Sequence, residues 1–350
     1  MPRDPHRGGR APSLTALEKR LLNEFQRDLP LVSRPFASIG QRLGAGEATV
    51  LRHLDDLQRR GFVSRVGPVL RPQRVGASTL AAMAVPAPRL DEVAARVSAL
   101  PEVNHNYERE HRLNLWFVLV ADDEAGVRER LARIETDTGL AVLSLPMIED
   151  YHIDLAFPLD ADAGTPPRRV CGRRGPAGEA ALGTLSEEDR RLLRTTQGGL
   201  PLLPRPYAAV ARAIGMREND VVTRLARLLE TGMLKRIGVV VRHHELGYRA
   251  NAMVVWNVPD GEVDERGRCI ARDGVATLCY RRPRRPPLWN YNLFCMLHGR
   301  DRESVHRDIE ALAQRCGLQD FAYAILFSRR RFKQCGARYP LAPAEVPGRA

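Results

Sequence analysis

The chain has 350 residues, 44% of them hydrophobic, which is too long for one ordinary domain and supplies material for several cores. Its 54 Lys+Arg against 42 Asp+Glu give a net charge of +12, favouring an anionic partner without choosing among nucleic acid, an acidic membrane surface and a small polyanion. No apolar run approaches the roughly 20 residues of a membrane span, and Met1 to Pro12 is polar and rich in Arg, Gly and Pro, unlike a signal peptide, so a soluble cytoplasmic protein is expected.

Residues 1–13 read as a disordered tail. Leu14 to Gln26 then carries a helical stripe of Leu14, Leu17, Leu21, Leu22 and Phe25, with Thr15 available as N-cap. Phe36 to Leu43 and Glu47 to Gln58 are two further helices, the second ended by Gly61. Phe62 to Leu70 alternates like the hairpin of a winged helix. Next come a strand over Leu80 to Val85, a helix over Arg89 to Leu100, and strands over Val103 to Arg109 and Leu113 to Val120. A helix over Glu124 to Thr138 and a strand over Ala141 to Leu155 complete the order βαββαβ of a ferredoxin-like module.

The same pattern is then written again. Leu14 through Gly76 aligns with Leu185 through Gly247 without a gap, at a constant offset of about 171 residues, within the usual size of a domain. Arg34-Pro35-Phe36 answers Arg205-Pro206-Tyr207, and Gly61, Arg65 and Gly67 answer Gly232, Arg236 and Gly238. The predicted fold class is α+β, with two tandem modules, each a winged helix-turn-helix followed by a ferredoxin-like domain. The expected boundaries are 14–76 and 77–159 for the first module, 160–183 for a linker rich in Pro, Gly, Ala and Arg, 184–247 and 248–340 for the second, and a tail over 341–350. Six scattered cysteines form no C-x-x-C pair, which removes the usual zinc and iron–sulfur spacings and leaves reduced thiols as the expectation.

Winged helix plus βαββαβ is the order of Lrp/AsnC regulators, so DNA is weighed first. A recognition helix beginning with Glu47, or with Glu218 and Asp220, sets carboxylates against phosphate and disfavours that partner. The positive charge lies instead in the second halves of the modules, notably Arg281-Arg282-Pro283-Arg284-Arg285 and Arg329-Arg330-Arg331.

Four segments carry a resemblance. They are Asn104-His105-Asn106-Tyr107-Glu108-Arg109 followed by Asn114-Leu115-Trp116-Phe117; Cys279-Tyr280-Arg281-Arg282 followed by Leu288-Trp289-Asn290-Tyr291-Asn292-Leu293-Phe294; Arg242 to Tyr248 around His243 and His244; and Arg331-Phe332-Lys333-Gln334. In these the chain resembles siroheme decarboxylases over nearly its whole length, in a fused form of two homologous halves. The resemblance implies removal of CO2 from the C12 and C18 acetates of siroheme, giving 12,18-didecarboxysiroheme on the way to d1-type heme. It also implies pairing of the two halves within the chain, with a further homodimer left open, and no cofactor beyond the substrate's own iron. A heme-sensing regulator of Lrp/AsnC type is the alternative.

Such a substrate is flat, apolar in the middle and anionic at its edge, which calls for aromatic walls and a guanidinium rim. Trp116, Phe117, Trp289, Tyr291 and Phe294 are the expected walls, and Arg109, Arg112, Arg281, Arg282, Arg284 and Arg285 the expected rim. Tyr280, Asn114, Asn292 and His244 are further candidate contacts. Decarboxylation leaves carbanion-like density that needs a proton, and histidine suits that task. His105 is the first candidate acid, with Tyr107 positioning or donating, and His243 the second, as another acid or as a ligand of the substrate's iron. The repeat places Leu278 where the first half has His105, so the halves are unequal.

Overall fold

The computed structural model describes residues 14–71, 75–153, 185–241, 250–336, 339 and 341. Each winged helix starts on a capping box. The Thr15 hydroxyl accepts from Glu18 N while Glu18 closes back on Thr15 N, starting α1 (Ala16–Glu24), and Ser186 with Asp189 starts α6 (Glu187–Thr196) in the same way. Proline at the first helical position starts α2 (Pro35–Leu43) and α7 (Pro206–Ile214), and glycines in the left-handed conformation, Gly44 and Gly215, stop them. The third helices are α3 (Glu47–Arg59) and α8 (Glu218–Glu230).

The expected wing hairpin does not form within a module. Phe62 to Leu70 gives one strand, β1 (Val63–Leu70), whose antiparallel partner is β7 (Leu234–Val241) of the other copy, with Gly67 opposite Gly238. Alternation fixes that a segment is a strand with one buried face and leaves its partner open. This ribbon sews the two winged helices into one shared apolar core, containing Leu21, Phe36 and Leu54 from one copy and Leu192, Tyr207 and Leu225 from the other.

The ferredoxin-like portions follow the expected order. The first has β2 (Ala77–Met83), α4 (Leu90–Ala99), β3 (Val103–Arg109), β4 (Leu115–Ala121) and α5 (Glu124–Thr138). The second has β8 (Ala250–Trp256), α9 (Val263–Asp273), β9 (Leu278–Arg281), β10 (Leu293–Gly299) and α10 (Arg302–Cys316). The fourth strands depart from expectation. Ala141 to Leu155 breaks into β5 (Leu143–Pro146), which pairs β2 of its own half, and β6 (Glu149–Ile153), which pairs β9 of the other half. The 12-residue β11 (Tyr323–Gln334) does the same without a break: Tyr323 to Phe327 pairs β8, and Ser328 to Gln334 pairs β3 of the first half. Among the described residues the result is one nine-stranded sheet in the order β5-β2-β4-β3-β11-β8-β10-β9-β6.

Side-chain alternation then sorts the layers. Ala81, Met83, Leu115 and Phe117 turn outward to α4 and α5; Ala252, Val254, Leu293 and Cys295 turn outward to α9 and α10. The opposite faces of both halves meet in a fourth apolar cluster that includes Ala82, Trp116, Leu145, Val255, Phe294 and Leu326. The continuous sheet is therefore folded on itself into two facing sheet portions, one from each half, with helices outside each and the winged helices joined beside it. Against the expectation of reduced thiols, Cys269 on α9 and Cys316 at the end of α10 form a disulfide, because these neighbouring helices bring their Cα atoms to 5.6 Å. Among the described residues Cys279, Cys295 and Cys335 are free. No described helix is long and apolar enough to cross a membrane.

Candidate active site

The aromatic residues expected to wall a pocket form the seam between the two sheets. Trp116 and Trp289 are each only 1% exposed, with ring centroids 5.1 Å apart and nearly edge to face. Trp289 also meets Tyr291 at 5.0 Å, Phe294 at 5.9 Å and His111 of the first half at 5.5 Å. A short hairpin, closed by reciprocal backbone bonds between Arg285 and Trp289 of 2.7 and 2.8 Å, drops Trp289 into this seam. Trp116 Nε1 donates to Leu113 O at 2.6 Å. Phe117 faces the helix layer. These rings are core, and the signal that reads as a ligand wall is the need to fill the space between two packed sheets.

Beyond that seam, β3 presents His105, Tyr107 and Arg109 on the inter-sheet face, while Asn106 points the other way and donates to Ala94 O and Ser98 Oγ of α4. His105 and Tyr107 stack with centroids 6.1 Å apart, and the Arg109 guanidinium lies over the Tyr107 ring at 5.6 Å. The extension of β11 brings residues of the second half alongside, with Arg331 opposite Tyr107 and Gln334 opposite His105. Arg331 donates to Gln334 Oε1 at 3.1 Å and its head is exposed. A bulge between Arg331 and Lys333 lets Phe332 pack against the helix layer while the register keeps Arg331 with Tyr107 and Gln334 with His105, so both share the face of His105. Arg331 and Gln334 are the residues that single-residue reasoning missed. Their segment stood out as a motif, and nothing in it announces that β11 crosses to the other half.

Burial and the neighbouring Arg109 cation lower the His105 pKa to about 4, so the imidazole is neutral at neutral pH in the free protein. Burial raises the Tyr107 phenol, partly countered by Arg109 and Arg331. Arg109 is buried, and burial brings its guanidinium down to about 10. It is not a rim residue: it crosses to the second half, where Nη1 donates to Leu326 O at 2.9 Å.

Several other candidates are also internal ties. Arg282 mirrors Arg109, donating to Leu145 O of the first half at 2.5 Å and lying over Tyr280 at 5.2 Å, and burial lowers it too to about 10. Asn114 clasps Val85 through two bonds of 2.9 Å, and Asn292 clasps Val258 in the same way. The basic loop is largely neutralised, since Arg284 binds Asp260 at 2.8 Å and Arg281 lies 3.4 Å from Asp260 and Asp264. The Arg284 hydrogen bond and charge hold the Asp260 carboxyl below its ordinary range. Arg281, Arg282, Arg284 and Asn292 border a cleft of about 320 Å³. Arg285 and Arg112 are exposed. His243 and His244 lie outside the described residues.

At the winged helices, Arg34 and Arg205 pair with Glu47 and Glu218, the first residues of α3 and α8, and Ser33 of the first copy donates to Glu218 of the second at 3.0 Å. The helix starts a regulator would offer to DNA are thus occupied by internal pairs.

Comparison with known proteins decides the family. The profile of the AsnC-like ligand binding domain matches residues 74–152 and 245–333, and that of the siroheme decarboxylase NirDL-like HTH domain matches residues 18–63 and 189–234. The siroheme decarboxylase NirDL subunit of Paracoccus denitrificans is 46% identical over 92% of this chain and 96% of its own length. The chain belongs to the siroheme decarboxylases. A further family member, the siroheme decarboxylase of Hydrogenobacter thermophilus, is 34% identical over 91% of this chain and 94% of its own. The crystal structure of the siroheme decarboxylase NirDL in co-complex with an iron-uroporphyrin III analogue superposes with a TM-score of 0.67 at 32% identity, covering 92% of this chain and 94% of that one. The tandem architecture read from the sequence is therefore that of the family.

Proposed function

We propose that this family member is a cytoplasmic carboxy-lyase that removes CO2 from the C12 and C18 acetates of siroheme, giving 12,18-didecarboxysiroheme for d1-type heme. One observation carries the reading: His105 and Tyr107 of one half and Arg331 and Gln334 of the other converge on one partly buried sheet face, in a chain of this family. That combination offers a proton carrier, a phenol and a cation to an anionic, flat ligand. The relative solved with an iron-uroporphyrin III analogue supports the ligand class.

Each reaction breaks one C–C bond. The electron pair stays on the methylene, spreads into the iron-bound ring, and takes up one proton as CO2 leaves, with no net oxidation and no resident cofactor. His105 is the proposed donor. It is neutral in the free protein because burial and Arg109 oppose its charging. A carboxylate seated beside it works in the opposite direction, so the substrate itself charges the imidazole. Tyr107, stacked on His105, orients it. Arg331 holds a carboxylate at the rim, and Arg285 and Arg112 are the exposed guanidiniums left to meet others. Arg109, Arg282, Trp116 and Trp289 act by fixing the frame, as do the ion-paired Arg281 and Arg284. His243 remains proposed as a second donor or an iron ligand, and His244 as a substrate contact.

Anaerobic incubation with siroheme, followed by mass spectrometry, should show two successive losses of CO2; unchanged pigment would dismiss the reading. Replacing His105 with Ala should slow turnover by about 10²-fold or more while weakening binding far less, in line with loss of a general acid. Equal losses in both would contradict the role.

A further inference from the structure

The two halves present the same sheet face twice, with a carboxylate in one where the other has a guanidinium. On β9 the residues Leu278, Tyr280 and Arg282 stand where β3 has His105, Tyr107 and Arg109, and each arginine reaches the matching carbonyl of the opposite half, Leu145 O or Leu326 O. The strands laid beside them correspond as well. Asp150 of β6 is opposite Tyr280 as Arg331 of β11 is opposite Tyr107, and Ile153 is opposite Leu278 as Gln334 is opposite His105. Tyr151 packs into the second helix layer as Phe332 does into the first, so Asp150 turns to the inter-sheet face like Arg331. Asp150 is held 3.7 Å from Arg71, which follows β1 of the first winged helix and whose amide donates to Met233 O of the second. The second face thus has a carboxylate where the first has a guanidinium, and a leucine where the first has an imidazole.

We infer that the macrocycle is seated once per chain, at the His105 face, and that Asp150 together with Leu278 makes the matching face unfit for it. The C12 and C18 acetates therefore leave in two separate bindings, between which the singly decarboxylated ring is released and turned. This rests on the function proposed above. A polycarboxylate approaching β9 finds at Asp150 a carboxylate that already holds Arg71, where β3 offers it the Arg331 guanidinium, and finds at Leu278 no group able to protonate a methylene. With His243 taken as the iron ligand, His105 is the single donor, and because the two acetates sit on different rings of one rigid plane it faces one of them at a time. Each seating consumes one proton and yields one CO2.

Iron uroporphyrin III, titrated into the full chain and followed by absorbance, should saturate at one equivalent. Asp150→Asn should leave stoichiometry and affinity unchanged, whereas Arg331→Asp should weaken binding at least about tenfold, as removal and inversion of an ion pair does. If Arg331→Asp does not fold, Arg331→Gln should still weaken it. Two equivalents of similar affinity, or a loss of affinity in the Asp150 variant, would overturn the inference; no binding at all would overturn the proposed function itself. With siroheme in excess, the singly decarboxylated ring should accumulate free in solution before the final product. Final product formed from the first turnover without that species would overturn the release step.

Discussion

His105 makes its environment measurable through acid stability. The folded chain holds its pKa near 4 against an ordinary value of 6.5, so the unfolded chain takes up a proton that the folded chain resists. The stability tied to the neutral imidazole is complete above about pH 6.5 and is lost as pH falls toward 4, by an amount on the order of 3 kcal/mol. His105→Leu, which copies Leu278, should flatten that part of the decline; urea midpoints at pH 7 and pH 4.5 that fall equally in both proteins would contradict it. Asn114 tests the opposite kind of residue. Its amide meets both the N–H and C=O of Val85, so Asn114→Ala should cost about 1–3 kcal/mol of stability through unpaired buried groups. Affinity for iron uroporphyrin III should be unchanged, and a tenfold loss without destabilisation would reassign Asn114 to the ligand.

Among the elements, the exchanged strands do most to shape the site. Arg109 crosses from β3 to the backbone of β11 in the other half, so Arg109→Met should destabilise the chain by about 1–3 kcal/mol, read by thermal unfolding. A smaller change would mean the tie is dispensable. The helices were legible because their boundaries are local chemistry: the Thr15 box, the prolines at 35 and 206 and the glycines at 44 and 215 are enough to start and stop them. Strand identity was legible from alternation, and the repeat exposed the tandem architecture. Strand partners were not. Nothing local in Val63 to Leu70 distinguishes a hairpin from a ribbon with another module, and nothing in Ala141 to Leu155 marks where the chain leaves one sheet for the other. The site inherits that limit. His105 and Tyr107 could be picked out on their own strand, whereas Arg331 joins them only through long-range register. Trp289 misleads for a related reason, since an aromatic beside arginines looks the same whether it lines a pocket or plugs a seam.

At the scale of the molecule, the halves are joined by the β1–β7 ribbon, the shared winged-helix core and both crossing strands, quite apart from the segment between them. A chain divided between Ala163 and Gly164 and co-expressed as two pieces should therefore elute as one complex of the intact size; separate elution would show that the covalent connection is what keeps them together. The exchange of β6 and β11 gives that connection a different purpose. Were two first halves to associate with each other, every His105 would lie beside an Asp150; were two second halves to do so, every Arg331 would lie beside a Leu278. Imidazole and guanidinium become neighbours only in a mixed couple, and tethering unlike partners in one polypeptide guarantees that composition at each round of synthesis.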